Sequence, residues 1–207
     1  MPAPLRTTFL VACTALLAAA QVHEVPASPG WYPSERAALS KLLDQAFAIA
    51  EKRGGSAPPR KKLLGLIVPH AGLAYSGGVA ASAFRRLDHP KNVILLGFSH
   101  RRSLVGITAP KLDAYATPLG EVKVNRTLVS ELKFPSAPEE QLCDHSLENQ
   151  LPFLARVAPE ASVVPLYVGT LSEPELASAA RRLAARVKQG DVLIASSDLT
   201  HYGQVYR

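Results

Sequence analysis

Four histidines and two acids carry the chemistry this sequence can offer. His70 stands in "VPHAGLAYSGG", His100 closes "NVILLGFSH", Asp198 and His201 lie in "DVLIASSDLTH", and His145 and Glu148 are three residues apart in "DHSLENQLPFL". Imidazoles and carboxylates are both metal ligands and proton carriers. His70, His100 and Asp198 together make a two-histidine, one-carboxylate set, which suits non-haem Fe(II) and leaves positions open for other ligands, with Zn or Cu as the alternatives. His201 is then a candidate for moving protons. His145 and Glu148 share a helix face at i, i+3, and so form either an outer pair or acid/base dyad, or a surface contact beside an Asp144 cap. Cys143 reads as a ligand, a thiol nucleophile or a passive half-buried side chain. His23 and His89 sit in loop-like contexts and receive no role.

What could bring such residues together is a set of buried strands. Residues 63–68, 92–97 and 162–169 are apolar runs of strand length, residues 191–201 are a fourth with a polar finish, and His70, His100 and Asp198 with His201 come at the ends of three of them. Helical patterns alternate with these runs. Leu39, Leu42, Leu43, Ala46, Phe47 and Ala50 make one face of a helix capped at Ser34 and stopped by Gly54 and Gly55. A second helix is expected from Ser76 to about Leu87, an Asn-capped helix over residues 125–133, and a third stretch over 144–157 that Pro152 should bend. Ser172 and Glu175 form a capping box for a last helix ended by Gly190. Residues 135–141 read as loop, and short strand-like pieces surround "DAYATPLGEV". The expectation is an α/β fold, a mostly parallel sheet with helices on both faces and the site at the C-terminal edge of the strands.

Composition bounds the partners. The chain has 207 residues, 47% hydrophobic and 19% charged, with a formal net charge of +6. The basic residues occur as scattered pairs without interleaved aromatics, which argues against nucleic acid and for solvated surface with some attraction to anions. Arg6, the apolar run of residues 9–20 and the small residues after it read as a secretory signal over residues 1–20, too short to be a stable membrane span. The expected location is therefore exported, periplasmic or secreted, or cytoplasmic if the start is misassigned.

Four motifs in one register, "PHAGLAYSG", "GFSH", "DHSLENQLPFL" and "SSDLTHYG", resemble the Memo family, which includes the AmmeMemoRadiSam system protein B group, over residues 27–207. The resemblance implies an α/β fold related to the class III extradiol dioxygenases and a non-haem iron site. By that resemblance His70 and His100 match metal-binding histidines, and Asp198 and His201 match neighbouring site residues. Family members carry a further metal-binding residue beyond the "SSD…H" motif, so the domain reads as C-terminally incomplete. Two functions are then open: a metal-dependent, dioxygenase-like oxidoreductase acting on a small molecule, or a binding module that holds a peptide or a metal without turnover.

Overall fold

The computed structural model describes residues 20–26, 30–54 and 63–199. The expected signal segment and His201 lie outside the described residues, Ala20 apart. The elements in chain order are β1 (Val22–Glu24), α1 (Arg36–Arg53), β2 (Gly65–Val68), α2 (Leu73–Phe84), β3 (Asn92–Gly97), β4 (Ile107–Lys111), β5 (Ala114–Thr117), β6 (Gly120–Lys123), α3 (Arg126–Leu132), β7 (Ser136–Pro138), α4 (His145–Glu148), α5 (Leu151–Val157), β8 (Ser162–Val168), α6 (Glu173–Ala184) and β9 (Val192–Ser196), with a single 3-10 turn at Glu139–Gln141.

Six strands form the main sheet in the order β2-β9-β3-β8-β4-β7. The β2-β9, β9-β3 and β3-β8 pairs are parallel, β4 runs antiparallel to β8, and β7 lies parallel to β4. The sheet is thus mostly parallel, as expected, with one reversed junction. Strand alternation distributes its residues between two cores. Val93, Leu95, Val163, Tyr167, Val192 and Ile194 pack on one face with Leu39, Leu43, Ala46 and Ala50 of α1 and with α2 and α5. Ile94, Val164 and Leu166 pack on the other with Leu128 and Leu132 of α3 and Ala179 and Leu183 of α6. Pro165 interrupts the apolar run of β8 opposite Leu95 of β3. The loss of its amide is tolerated there because β4 joins β8 only at Tyr167 and Val168. A second sheet, β1-β5-β6, sits beside the first.

Several local expectations shift. α1 starts at Arg36 after Glu35, which makes no side-chain capping bond. α2 begins at Leu73, three residues before the expected Ser76, and ends at Phe84. Asn125 caps α3 as expected, its side chain accepting from the Leu128 amide, and the Ser172 amide and hydroxyl both donate to Glu175 at the start of α6. The stretch around Pro152 is two helices, α4 and α5, broken at Asn149 and Gln150. The expected loop at residues 135–141 contains β7. Its pairing with β4 is a long-range backbone contact that no alternation of side chains announces.

β2 is an edge strand, and the face turned away from α1 and α2 is bare: Ile67 is 66% exposed, whereas Val68 is fully buried on the other side. Among the described residues no helix is long and apolar enough to cross a membrane.

Candidate metal centre

Because β2, β9 and β3 are adjacent and parallel, their C-terminal continuations emerge side by side. His70 comes after β2, His100 after β3 and Asp198 after β9. A third ring comes from elsewhere: His145 opens α4, and its ligand atom joins those of His70 and His100 with all separations within 4.8 Å. The rings form a compact aromatic group. His100 and His145 stack at 4.1 Å between centroids, and Trp31 stacks on the far face of His145 at 3.9 Å and 6°. His70 stands edge-on to both, at 5.5 Å and 5.7 Å. Phe98 lies against His100 at 4.2 Å.

The hydrogen bonds behind the rings decide where the protons are. The Ser196 hydroxyl donates to the Ser146 carbonyl at 2.5 Å, so its oxygen is left to accept. His70 Nδ1, 3.0 Å from that oxygen, must therefore be the donor, so the neutral ring carries its lone pair on Nε2. His100 Nδ1 lies 3.2 Å from Asp144 Oδ2, and a carboxylate can only accept. In its neutral form the His100 ring therefore also carries its lone pair on Nε2. An imidazole whose outer N–H is tied to a hydroxyl or carboxylate, with its inner nitrogen unprotonated, is the usual form of a metal-ligating histidine. His145 is neutral for another reason. Burial, reinforced by the neighbouring His100 and His70 and only partly opposed by Asp144 and Asp198, brings its pKa down to about 4.

The "DHSLENQLPF" motif is the clamp that builds this arrangement. Asp144 caps α4 by accepting from the Ser146 amide at 2.9 Å and also accepts from the His100 amide. Ser146 Oγ donates to the Phe98 carbonyl at 2.6 Å. Asn149 Nδ2 donates to the His70 carbonyl at 2.7 Å, and Gln150 Nε2 to the Pro69 carbonyl at 2.9 Å and to Ser196 Oγ at 3.0 Å. One short segment thus holds the ends of β2, β3 and β9 together. Gly97 is required at the crossing, since a Cβ there would sit 2.8 Å from Ser146 Oγ and closer still to Leu147.

Asp198 lies beside this cluster. Its Oδ1 accepts from the amides of His70 at 2.5 Å and Ala71 at 3.0 Å, and its Oδ2 is 3.8 Å from His70 Nε2. The carboxylate therefore fixes the Pro69-His70-Ala71 turn and stands next to the inner nitrogen of His70, while the third imidazole of the mutually close set is His145. Glu148 is placed apart from His145. It is buried and paired with His23, Nε2 to Oε1 at 3.0 Å, with Glu139 on the other ring nitrogen at 3.6 Å. Burial opposes charge on His23, but the hydrogen bond and charge of Glu148, aided by Glu139, outweigh it and raise its pKa. Sequence reasoning gave His23 no role. The only signal that could have found it is the demand of a buried Glu148 for a charged partner. Cys143 is fully buried, 3.8 Å from the Tyr115 hydroxyl, and burial pushes its thiol up to about 12, which disfavours the thiolate at neutral pH.

Comparison with known proteins shows the family. A family model described as Memo-like protein matches residues 26–207. A MEMO1 family protein of Aquifex aeolicus is 37% identical over 189 residues, covering 88% of this chain and 68% of its own length. One from Thermotoga sp. (strain RQ2) is 36% identical over 196 residues, covering 86% and 70%. Another from Methanococcoides burtonii is 32% identical over 182 residues, covering 83% and 65%, so the chain spans about two thirds of the length of these relatives. With the family model running from the strand-edge histidines through the α4 clamp, and the relatives at these identities, the chain belongs to the Memo family of proteins.

Proposed function

We propose that this protein is a metalloprotein that holds one divalent transition-metal ion on His70, His100 and His145, with Fe(II) the preferred ion and oxidoreductase chemistry on a small molecule its activity. The observation that supports this most directly is the tautomer argument. In their neutral forms His70 and His100 carry their lone pairs on Nε2, because Ser196 and Asp144 take up the Nδ1 side, and the ligand atom of a third imidazole lies within 4.8 Å of theirs. Three neutral imidazoles suit Fe(II), Zn or Cu; the Asp198 carboxylate beside His70 adds an oxygen donor and favours iron. When bound, such an ion supplies Lewis acidity and redox capacity.

The protein's own residues do the rest. Trp31 covers the outer face of His145, and Phe98 packs at a tilt against His100, which stays partly open to solvent. Asp198 holds the His70 turn and is placed to exchange a proton beside the cluster, and we keep His201 as a second proton carrier. We further propose that the chain is exported. Sequencing of the mature N-terminus after bacterial expression tests this, and intact Met1 in the cytoplasm would count against it.

The metal reading is tested by anaerobic calorimetric titration of metal-free protein with Fe(II), followed by oxygen-uptake measurement. One equivalent bound and lost in His70→Ala is expected. Binding that survives both His70→Ala and His100→Ala would refute the site. Tight binding with no oxygen uptake on any small-molecule panel would leave a binding module.

A further inference from the structure

Beside His100 the chain forms a cleft of ≈ 630 Å³ whose lining includes Ser99, Arg101, Arg102, Ser103 and Thr170, with no carboxylate among the lining residues. Both guanidiniums are oriented by neutral acceptors. Arg101 Nε donates to the Cys143 carbonyl at 2.5 Å, and Arg102 Nη1 to Gln141 Oε1 at 2.9 Å. Among the described residues neither is paired with an acid. Asp144, the carboxylate bound to His100, already accepts from the His100 amide, His100 Nδ1 and the Ser146 amide. Two positive charges, each tethered by one hydrogen bond to a neutral acceptor, unpaired with acids among the described residues and flanked by hydroxyls, offer an oxyanion charge-assisted donors.

From this we infer that the cleft is an anion subsite that binds the carboxylate or phosphate of a small ligand on Arg101 and Arg102, with the ligand's other end directed past Phe98 to the three histidines. The subsite stands on the arginines alone, and only the destination of the ligand's far end rests on the proposed metal reading. It narrows the substrate class to small oxyanions and gives the protein's basic pairs, otherwise solvated surface, one functional member. The cleft's volume matches a small-molecule pocket rather than a macromolecular surface.

The test titrates metal-free full-length protein with benzoate and, separately, with inorganic phosphate, followed by calorimetry and amide chemical shifts. Saturable binding of at least one anion is expected, weakening as salt is raised. Arg102→Gln and Arg101→Gln should each weaken it by roughly 3- to 10-fold, and the double variant by more. The tighter of the two probes identifies the head group as carboxylate or phosphoryl. Arg102 is exposed and bonded only to Gln141, so its variant should fold as the parent does. Binding of equal strength in the double variant, or no saturable binding of either anion at millimolar concentration, overturns the inference. His70→Ala should keep anion binding. Protein that binds the anion but takes up no metal refutes the metal reading alone, and protein that takes up metal but ignores both anions refutes this inference alone.

Discussion

His145 and Glu148 stand one turn apart on α4, yet they belong to different clusters. His145 joins His70 and His100, and its pKa falls to about 4 because burial and two other imidazoles disfavour its charge. Glu148 faces His23, whose pKa rises because two carboxylates outweigh its burial. The same side chain thus has its charge disfavoured at His145 in one cluster and favoured at His23 in the other. The difference lies in what stands opposite the ring: burial among other imidazoles disfavours charge on His145, whereas carboxylates facing both nitrogens favour it on His23. The first cluster is the one proposed to hold a metal ion. The second fastens β1 and the small sheet to the core.

This contrast can be broken at its strongest point first. His70→Ala or His100→Ala should lower metal affinity by more than about 100-fold, beyond what loss of an outer partner costs, as read by calorimetry. His145→Ala should do nearly as much, and Asp198→Asn less. The reverse ranking would return the site to a two-histidine, one-carboxylate set. Glu148→Gln should instead destabilise the fold by roughly 2–4 kcal/mol, since it leaves a buried His23 short of its main counter-charge, while metal affinity stays within a fewfold. Urea unfolding beside a metal titration separates the two effects. Ser196→Ala should cost about 10- to 100-fold in metal affinity by releasing the His70 tautomer, with His70 proton exchange followed by NMR as the direct readout.

The smallest effect is a pair of opposed pH dependences. His23 has a folded pKa above its ordinary 6.5, so its contribution is complete below about that value and is lost as pH rises through the higher folded pKa. His145 is lowered, so the unfolded chain takes up its proton first and stability falls as pH drops from about 6.5 toward about 4. Urea midpoints measured from pH 4 to 8 should show both slopes. Glu148→Gln should flatten the alkaline one and His145→Asn the acid one, and a variant that flattens both would mean that the clusters are coupled.

Much of this was legible in the chain. Apolar runs of β-branched and aliphatic residues at residues 63–68 and 92–97 and at the start of 191–201, separated by helical patterns, point to parallel strands, which deliver the residues at their C-terminal ends to one edge, although the run at 63–68 proves to be a half-exposed edge strand rather than the buried one expected. His70, His100 and Asp198 could be picked out on that ground alone, because hydrophobic periodicity and strand length are local properties. The order β2-β9-β3, which makes three chain-distant ends neighbours, is a choice among strand pairings that side-chain patterns do not encode. His145 was visible as a functional residue but not as the third imidazole. Its position depends on the break at Asn149 and Gln150 that lays α4 across the sheet edge. His23 was invisible, since a three-residue strand carries no period and its pairing with β5 spans some ninety residues. Local composition determined which elements form and which residues end them. The tertiary structure alone decided which imidazoles meet other imidazoles and which meet carboxylates, because burial and electrostatic partners are properties of packed surfaces rather than of spacing along a chain.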